Sequence, residues 1–368
     1  MENPMSVLFE ESRIGEVGLQ NRLVRSATSE GMADVEGRCT AKLLGLYRRL
    51  AAGGAGLLIS GHIFVREEGR AMPYQLGLHR DELVSGLKQL TDSVHDFGGR
   101  IFAQLAHAGV YANPLDKDMH VLTASEGVAG INRSQRVCSP RDMEELIRGF
   151  AAAAARALYA GFDGVQLHAA HGYLLSQYLS TLFNRREDEY GGNVNNRSKL
   201  LVEVLRAVHK TVGPSYPVTV KLNCSDFAEG GLTLEDAVQV AVLLERESVD
   251  GIEVSGGLLT SRRMGPARPG IDAPKKEAYF RREAHGIGEQ LGIPVLLVGG
   301  IRSYEVAEDL VKRDVCTFVS MSRPFIREPG IVKRWESGDH AMSRCDSDNR
   351  CFRPGLRGEG IYCVSLSR

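Results

Sequence analysis

The chain predicts an α/β protein closed into a (β/α)8 barrel with loop insertions on its catalytic face, and three observations carry that expectation. Eight short apolar runs alternate with amphipathic helical patterns along the 368 residues. Each run is apolar nearly throughout, as strands of a parallel sheet covered by helices are. The length, with 43% hydrophobic residues, suits one closed barrel with insertions, which needs about 250 residues or more. An open, doubly wound sheet shares the alternation and is the competing layout.

The runs fall at residues 22–26, 56–60, 100–105, 164–168, 218–222, 251–254, 295–298 and 317–321. Between them, helix starts are legible. Ser139-Pro140-Arg141-Asp142 offers a cap, a proline at the first helical position and an acid at the third, and the alanine-rich stretch 150–159 continues that helix. Thr233-Leu234-Glu235-Asp236 opens another in the same way, running to about Glu247. The longest irregular regions, 111–140, 182–197 and 256–278, each follow a strand, which places them on the catalytic face. Residues 1–330 make the barrel. Residues 331–368, with the single tryptophan Trp335 and a cysteine-bearing end, read as an appendage and not as a second domain.

Composition narrows the partners. A formal net charge of -1 gives no global field for nucleic acid or an anionic membrane. The first fifteen residues, MENPMSVLFEESRIG, carry acids where a secretion signal carries bases, and no apolar core follows, so a cytoplasmic protein is expected. No stretch reaches the roughly 18 apolar residues of a membrane span. Of seven cysteines, Cys39, Cys138, Cys224 and Cys316 are scattered in or near strands, as small buried hydrophobes are. A small-molecule substrate is therefore the expected partner, with a homo-oligomer left open.

Residues 161–192, GFDGVQLHAAHGYLLSQYLSTLFNRREDEYGG, carry most of the functional information. A buried strand ends at His168, with His171 and Tyr173 just beyond it. Ring donors and a phenol at the carboxyl end of a buried parallel strand are what a small-molecule site in an α/β barrel shows. Two imidazoles can hold a carbonyl or carboxylate oxygen, and a nearby phenol can supply a proton. A satisfied core pair, or half of a metal site, would also use two histidines; a metal wants a third ligand, and none lies at regular spacing nearby.

This segment resembles the Old Yellow Enzyme family of FMN-dependent ene-reductases, which are built on a TIM barrel. The likeness extends over nearly the whole chain. It implies that reduced nicotinamide, NADH or NADPH, passes hydride to FMN, and that FMN then reduces an electron-poor C=C bond. By the same resemblance His168 and His171 bind the activating oxygen and Tyr173 donates the proton. His62 and His107, also at strand ends, receive no role beyond lining the pocket.

The resemblance implies flavin-binding positions along the strands. NRLVRSATSEGMAD places Ser26, Ala27, Thr28 and Ser29 near the ring, with Ser29 as the group that bonds a ring carbonyl. Small residues after the second strand, Ser60 and Gly61, leave room for a flat ring. Gln104, in FAQLAHAG, meets the pyrimidine edge through its amide. Lys221, in VTVKLNCSDF, is a cation inside an apolar run, where it would stabilise an anionic reduced flavin. The phosphate falls to Gly299 and Gly300, before a helix starting near Ser303, and to Ser322 and Arg323.

The tail RCDSDNRCFRPGLRGEGIYCV resembles the segment that holds a [4Fe-4S] cluster in the 2,4-dienoyl-CoA reductase and 2-enoate reductase branch. Cys345, Cys351 and Cys363 remain, but Asp348 stands where the second cysteine would be, and a carboxylate is a poor ligand for such a cluster. The tail is read as a relic of a cluster site. Two further readings are an FMN-dependent dehydrogenase or demethylase of the same family, and a flavin-binding redox protein without turnover.

Overall fold

Each of the eight apolar runs forms a strand in a computed structural model, which describes residues 6–127 and 134–367. The strands are β1 (Leu23–Arg25), β2 (Leu57–Ile59), β3 (Ile101–Ala106), β4 (Gly164–Ala169), β5 (Val218–Asn223), β6 (Gly251–Ser255), β7 (Val295–Val298) and β8 (Phe318–Met321). Each pairs in parallel with the next, and β8 pairs with β1, so the sheet closes on itself. Closure decides for the barrel over the open doubly wound sheet.

Eight helices cover the outside: α1 (Ala41–Ala52), α2 (Val84–His95), α3 (Pro140–Tyr159), α4 (Val194–Val212), α5 (Leu234–Arg246), α6 (Arg281–Gly288), α7 (Tyr304–Lys312) and α8 (Ile331–Glu336). The starts read from sequence hold. Ser139 accepts from the Asp142 amide while its own amide donates to the Asp142 carboxylate, and Thr233 accepts from the Asp236 amide. These caps satisfy amides that the first turn of a helix cannot pair internally.

The strands are less uniform than they read. Their outward residues, among them Leu58, Val165, Leu167, Val220, Val254 and Leu297, pack under the helices in one large core. Their inward residues form two layers. At the end where the strands start, Val24, Leu57, Phe102, Leu296 and Phe318 join Ile14 and Leu19 of an antiparallel hairpin (Ser12–Ile14 with Val17–Leu19). Phe102 fills the space a side chain at residue 164 would need, since a Cβ on Gly164 would lie 2.7 Å from its ring. One step further along, the inward positions are polar: Gln104, Gln166, Lys221 and Glu253. All are buried and bonded to one another.

The tail does more than trail from the barrel. Trp335 of α8 is fully buried against Tyr304. Beyond it the chain crosses the catalytic face. The Ile361 amide donates to the Glu30 carbonyl at 2.7 Å, and the Gly270 amide donates to Ser347 at 3.0 Å. Among the described residues no helix is long and apolar enough to cross a membrane.

Candidate active site

β4 carries His168 inward, two residues beyond Gln166, and the chain then turns sharply. His171 has φ 65° and Gly172 φ 81°. A left-handed conformation is uncommon for a residue with a side chain and needs support from its surroundings. Asn223 of β5 provides it by accepting from the His171 amide at 3.0 Å, while its own amide nitrogen donates to Asp226. The turn brings three rings together. His168 lies edge-on to His171 and to Tyr173, with centroids 5.1 and 4.7 Å apart. His171 Nε2 is 2.8 Å from the hydroxyl of Ser255, which ends β6.

Both imidazoles are held neutral. Burial pushes the His168 pKa well below the ordinary histidine value, helped by His171, His62 and Lys221. His171 is lowered in the same way by burial, then by Lys221 and His62. A neutral ring offers one N–H donor and keeps no charge that would repel Lys221. Burial raises the Tyr173 phenol, so it stays protonated at neutral pH.

A histidine lowered in the fold binds its proton better when unfolded, so acid favours unfolding. That contribution is complete above the unfolded value of about 6.5 and is lost as pH falls through the folded value. His107, buried and not among the residues that line the cavity, is lowered to about 4 by burial and follows the same rule. Thermal unfolding between pH 8 and 5 is therefore expected to show little change down to about 6.5 and a falling midpoint below it. A midpoint that is flat or rising toward pH 5 would contradict these assignments.

The three rings open onto a cavity of about 330 Å³ at the carboxyl ends of the strands. Its wall includes Ser26, Ala27, Thr28, Ser29, Gln104, Lys221, Gly300, Ser322 and Arg323, which the sequence had placed near a flavin. Gly61 and Gly299 are not among the residues that line it. The Gly61 amide is engaged by Glu30 and Tyr47, and a Cβ there would strike Glu30. A Cβ on Gly299 would meet Phe280 and Tyr279. The Ser29 hydroxyl, expected to face a ring carbonyl, donates to the Met72 sulfur at 2.9 Å. The helix start expected to favour phosphate is filled from within, since Glu277 accepts from the amides of Arg302 and Ser303.

An ordered polar chain underlies the cavity. Lys221 Nζ reaches Ser26 Oγ at 2.8 Å and Glu253 Oε2 at 3.1 Å. Gln166 Nε2 donates to Glu253 at 3.0 Å, and Gln104 Nε2 donates to Gln166 Oε1 at 2.7 Å. A carboxylate only accepts, so Glu253 sets the orientation of both amides. Gln104 therefore keeps its carbonyl oxygen and one N–H for a ligand. Thr28 donates to the Ser26 carbonyl, so Ser322 must donate to Thr28 Oγ at 2.7 Å. Arg323 Nη1 is anchored by the Arg268 carbonyl and by Asn349 of the tail.

Reading by sequence missed Glu253, Ser255, Asn349 and the wall residues Ser347 and Phe352. A signal existed for Glu253: it interrupts an apolar strand as Lys221 does. The tail residues carried none. Cys345, Asp348, Cys351 and Cys363 line one small void with Arg323 and Arg327. Among the described residues no group of three or more His, Cys, Asp or Glu side chains could hold a metal ion. Burial pushes the Cys351 thiol up to about 12.

The wall fits a polar, anionic cofactor. Among the described residues His168 Nδ1 and Ser320 Oγ are buried there without a protein partner, which groups on a ligand would satisfy. Comparisons with known proteins agree. The model of the NADH:flavin oxidoreductase / NADH oxidase family matches residues 7–341. The NADH oxidase of Thermoanaerobacter brockii is 33% identical over 93% of this chain and 52% of its own length. The NADPH dehydrogenase of Listeria welshimeri is 35% identical over 89% and 94%. The chain thus spans about half the length of the first relative and nearly all of the second. The Old Yellow Enzyme homologue from Zymomonas mobilis superposes with a TM-score of 0.76 at 26% identity, covering 92% of this chain and 95% of that one. With the barrel, the histidine pair and the buried lysine in place over nearly its whole length, the chain belongs to the NADH:flavin oxidoreductase / NADH oxidase family, the Old Yellow Enzyme group that residues 161–192 resemble.

Proposed function

We propose that the protein is an FMN-dependent oxidoreductase that uses NADH or NADPH to reduce a C=C bond activated by a neighbouring carbonyl or carboxylate. The observation that carries this reading is the convergence of two neutral imidazoles and a protonated phenol on one cavity whose floor holds a buried ammonium. FMN, when bound, supplies the hydride.

Gln104, Lys221, Gly300, Ser322 and Arg323 are the residues that would hold it. Lys221 sets positive charge against the ring, Gln104 offers one donor and one acceptor, and Arg323 offers charge to the phosphate. His168 and His171 would donate to the activating oxygen of the alkene. That oxygen gains negative charge in the transition state, so the two donors act more strongly there than on the ground state. Tyr173 would deliver its proton to the α carbon. Ser255 and Asn223 keep His171 in place, and Phe352 of the tail lines the same cavity.

Anaerobic visible spectra of the purified protein test this reading. The flavin bands are expected to bleach with NADH or NADPH and to return on adding a cyclic enone. A flavin that bleaches and ignores the enone would remove the C=C assignment, and a protein that takes up no FMN would remove the cofactor as well.

A further inference from the structure

The loop after β2 places a third histidine, His62, beside the phenol. His62 Nε2 lies 3.3 Å from the Tyr173 oxygen, and the two rings meet edge-on with centroids 5.4 Å apart. On its other side, His62 Nδ1 is 2.6 Å from Gln75 Nε2. The orientation of Gln75 follows from its neighbours. The Ala71 amide can only donate, and it points at Gln75 Oε1 at 2.7 Å. The amide nitrogen of Gln75 is thus the end facing His62, where it also donates to the His62 carbonyl at 3.1 Å. The loop itself is built around Arg70, which is fully buried and donates to the carbonyls of Met72 and Pro73.

An NH2 group has no lone pair to offer. His62 Nδ1 must therefore be the acceptor, and the ring is neither the imidazolium nor the Nδ1–H tautomer. Its proton sits on Nε2 and is donated to the Tyr173 oxygen. Burial, the main influence on this ring, also lowers its pKa. The phenol cannot then donate to His62, so its hydrogen is turned toward the cavity.

We infer that Gln75 and His62 form a positioning relay that aims the Tyr173 proton at the substrate and stabilises the phenolate left behind. This rests on the function proposed above. In the protonation step the Tyr173 O–H bond breaks and a C–H bond forms at the α carbon, as hydride adds to the β carbon. The electron pair stays on the phenolate oxygen, facing the His62 N–H, until water returns a proton. A charge-assisted bond to a developing oxyanion is stronger than one to the neutral phenol, so the relay favours the transition state over the ground state.

The test has two arms. The first is the side-chain 15N spectrum of histidine-labelled protein without substrate, with His62 assigned by its loss in His62→Gln. A protonated Nε2 and a bare Nδ1 are expected, and Gln75→Leu should abolish that single form. A protonated Nδ1 in the unmodified protein would overturn the relay. The second arm follows reoxidation of the reduced flavin by a cyclic enone. His62→Phe keeps a ring but no donor, and is expected to slow this step by about 10- to 100-fold, less than the roughly 10²–10⁴-fold that a general acid itself contributes, because Tyr173 is still present. Its solvent deuterium isotope effect should rise, while reduction by nicotinamide changes little. His62→Gln restores an N–H close to the position of Nε2 and should recover most of the rate, whereas unchanged reoxidation in His62→Phe with full FMN content would also overturn the relay. An unmodified protein whose reduced flavin ignores the enone would overturn the proposed function, and the 15N result would still decide the tautomer independently.

Discussion

Replacing both His168 and His171 by alanine is expected to lower kcat/KM for an enone by about 10²–10³-fold, the loss typical of removing oxyanion donors. FMN should stay bound, because the groups assigned to hold it lie on β3 and β5 and just beyond β7 and β8, away from the turn that carries the two rings. The single variants should each lose nearly as much as the double, since two donors aimed at one oxygen act as a unit. His171→Ala carries a second effect, because residue 171 sits at φ 65° with its amide held by Asn223. Asparagine tolerates that conformation better than alanine and leaves a donor, so His171→Asn should lose less than His171→Ala. Steady-state kinetics with FMN content measured on the same samples check this. Activity within threefold of the unmodified protein in the double variant would remove the substrate-oxygen assignment.

The second large effect is on stability. Lys221→Met is expected to destabilise the fold by about 3–5 kcal/mol, the usual cost of breaking one side of a buried ion pair. Glu253 is fully buried and its Oε1 has no partner among the described residues, so of these the variant leaves the Gln166 amide alone bonded to the carboxylate. The double change Lys221→Met with Glu253→Gln should recover much of that loss, because both charges are then absent. Denaturant unfolding of the two variants separates this account from simple overpacking by methionine: if the double variant is as unstable as the single, the ion pair is not the cause. FMN affinity is expected to remain low in both, since neither presents a cation to the cofactor.

The contrast between Lys221 and Glu253 shows what a single sequence exposes. Both interrupt apolar strands, and both are buried in the barrel. The lysine was legible as a site residue because a family pattern gave it a role, while the same physical signal on the neighbouring strand went unused. Their pairing was beyond reach, because it needs β5 and β6 in register with Lys221 opposite Glu253. Ser29, Gly61 and Gly299 show what a motif leaves open. The motifs place all three near the flavin; in the structure Ser29 lines the cavity with its hydroxyl bonded to Met72, and the two glycines are not among the residues that line it.

The alternation of apolar runs and capped helices was enough to determine the number of strands, their order along the chain and the helix starts at Ser139 and Thr233, because burial and capping are local and leave a periodic mark. The order of ligating groups around β4 was equally local, since His168, His171 and Tyr173 are near neighbours in the chain. Only the tertiary structure decided closure, which depends on β8 meeting β1 across almost 300 residues, the split of the strands into a face under the helices and a barrel face that turns from apolar to polar, and the convergence of Gln75 and His62 on Tyr173. It also brought Asn349, Ser347 and Phe352 from the tail onto the cavity. Hydrogen bonds between groups far apart in sequence have no period, so the reach and direction of each donor could be known only once the barrel had set where every strand ends.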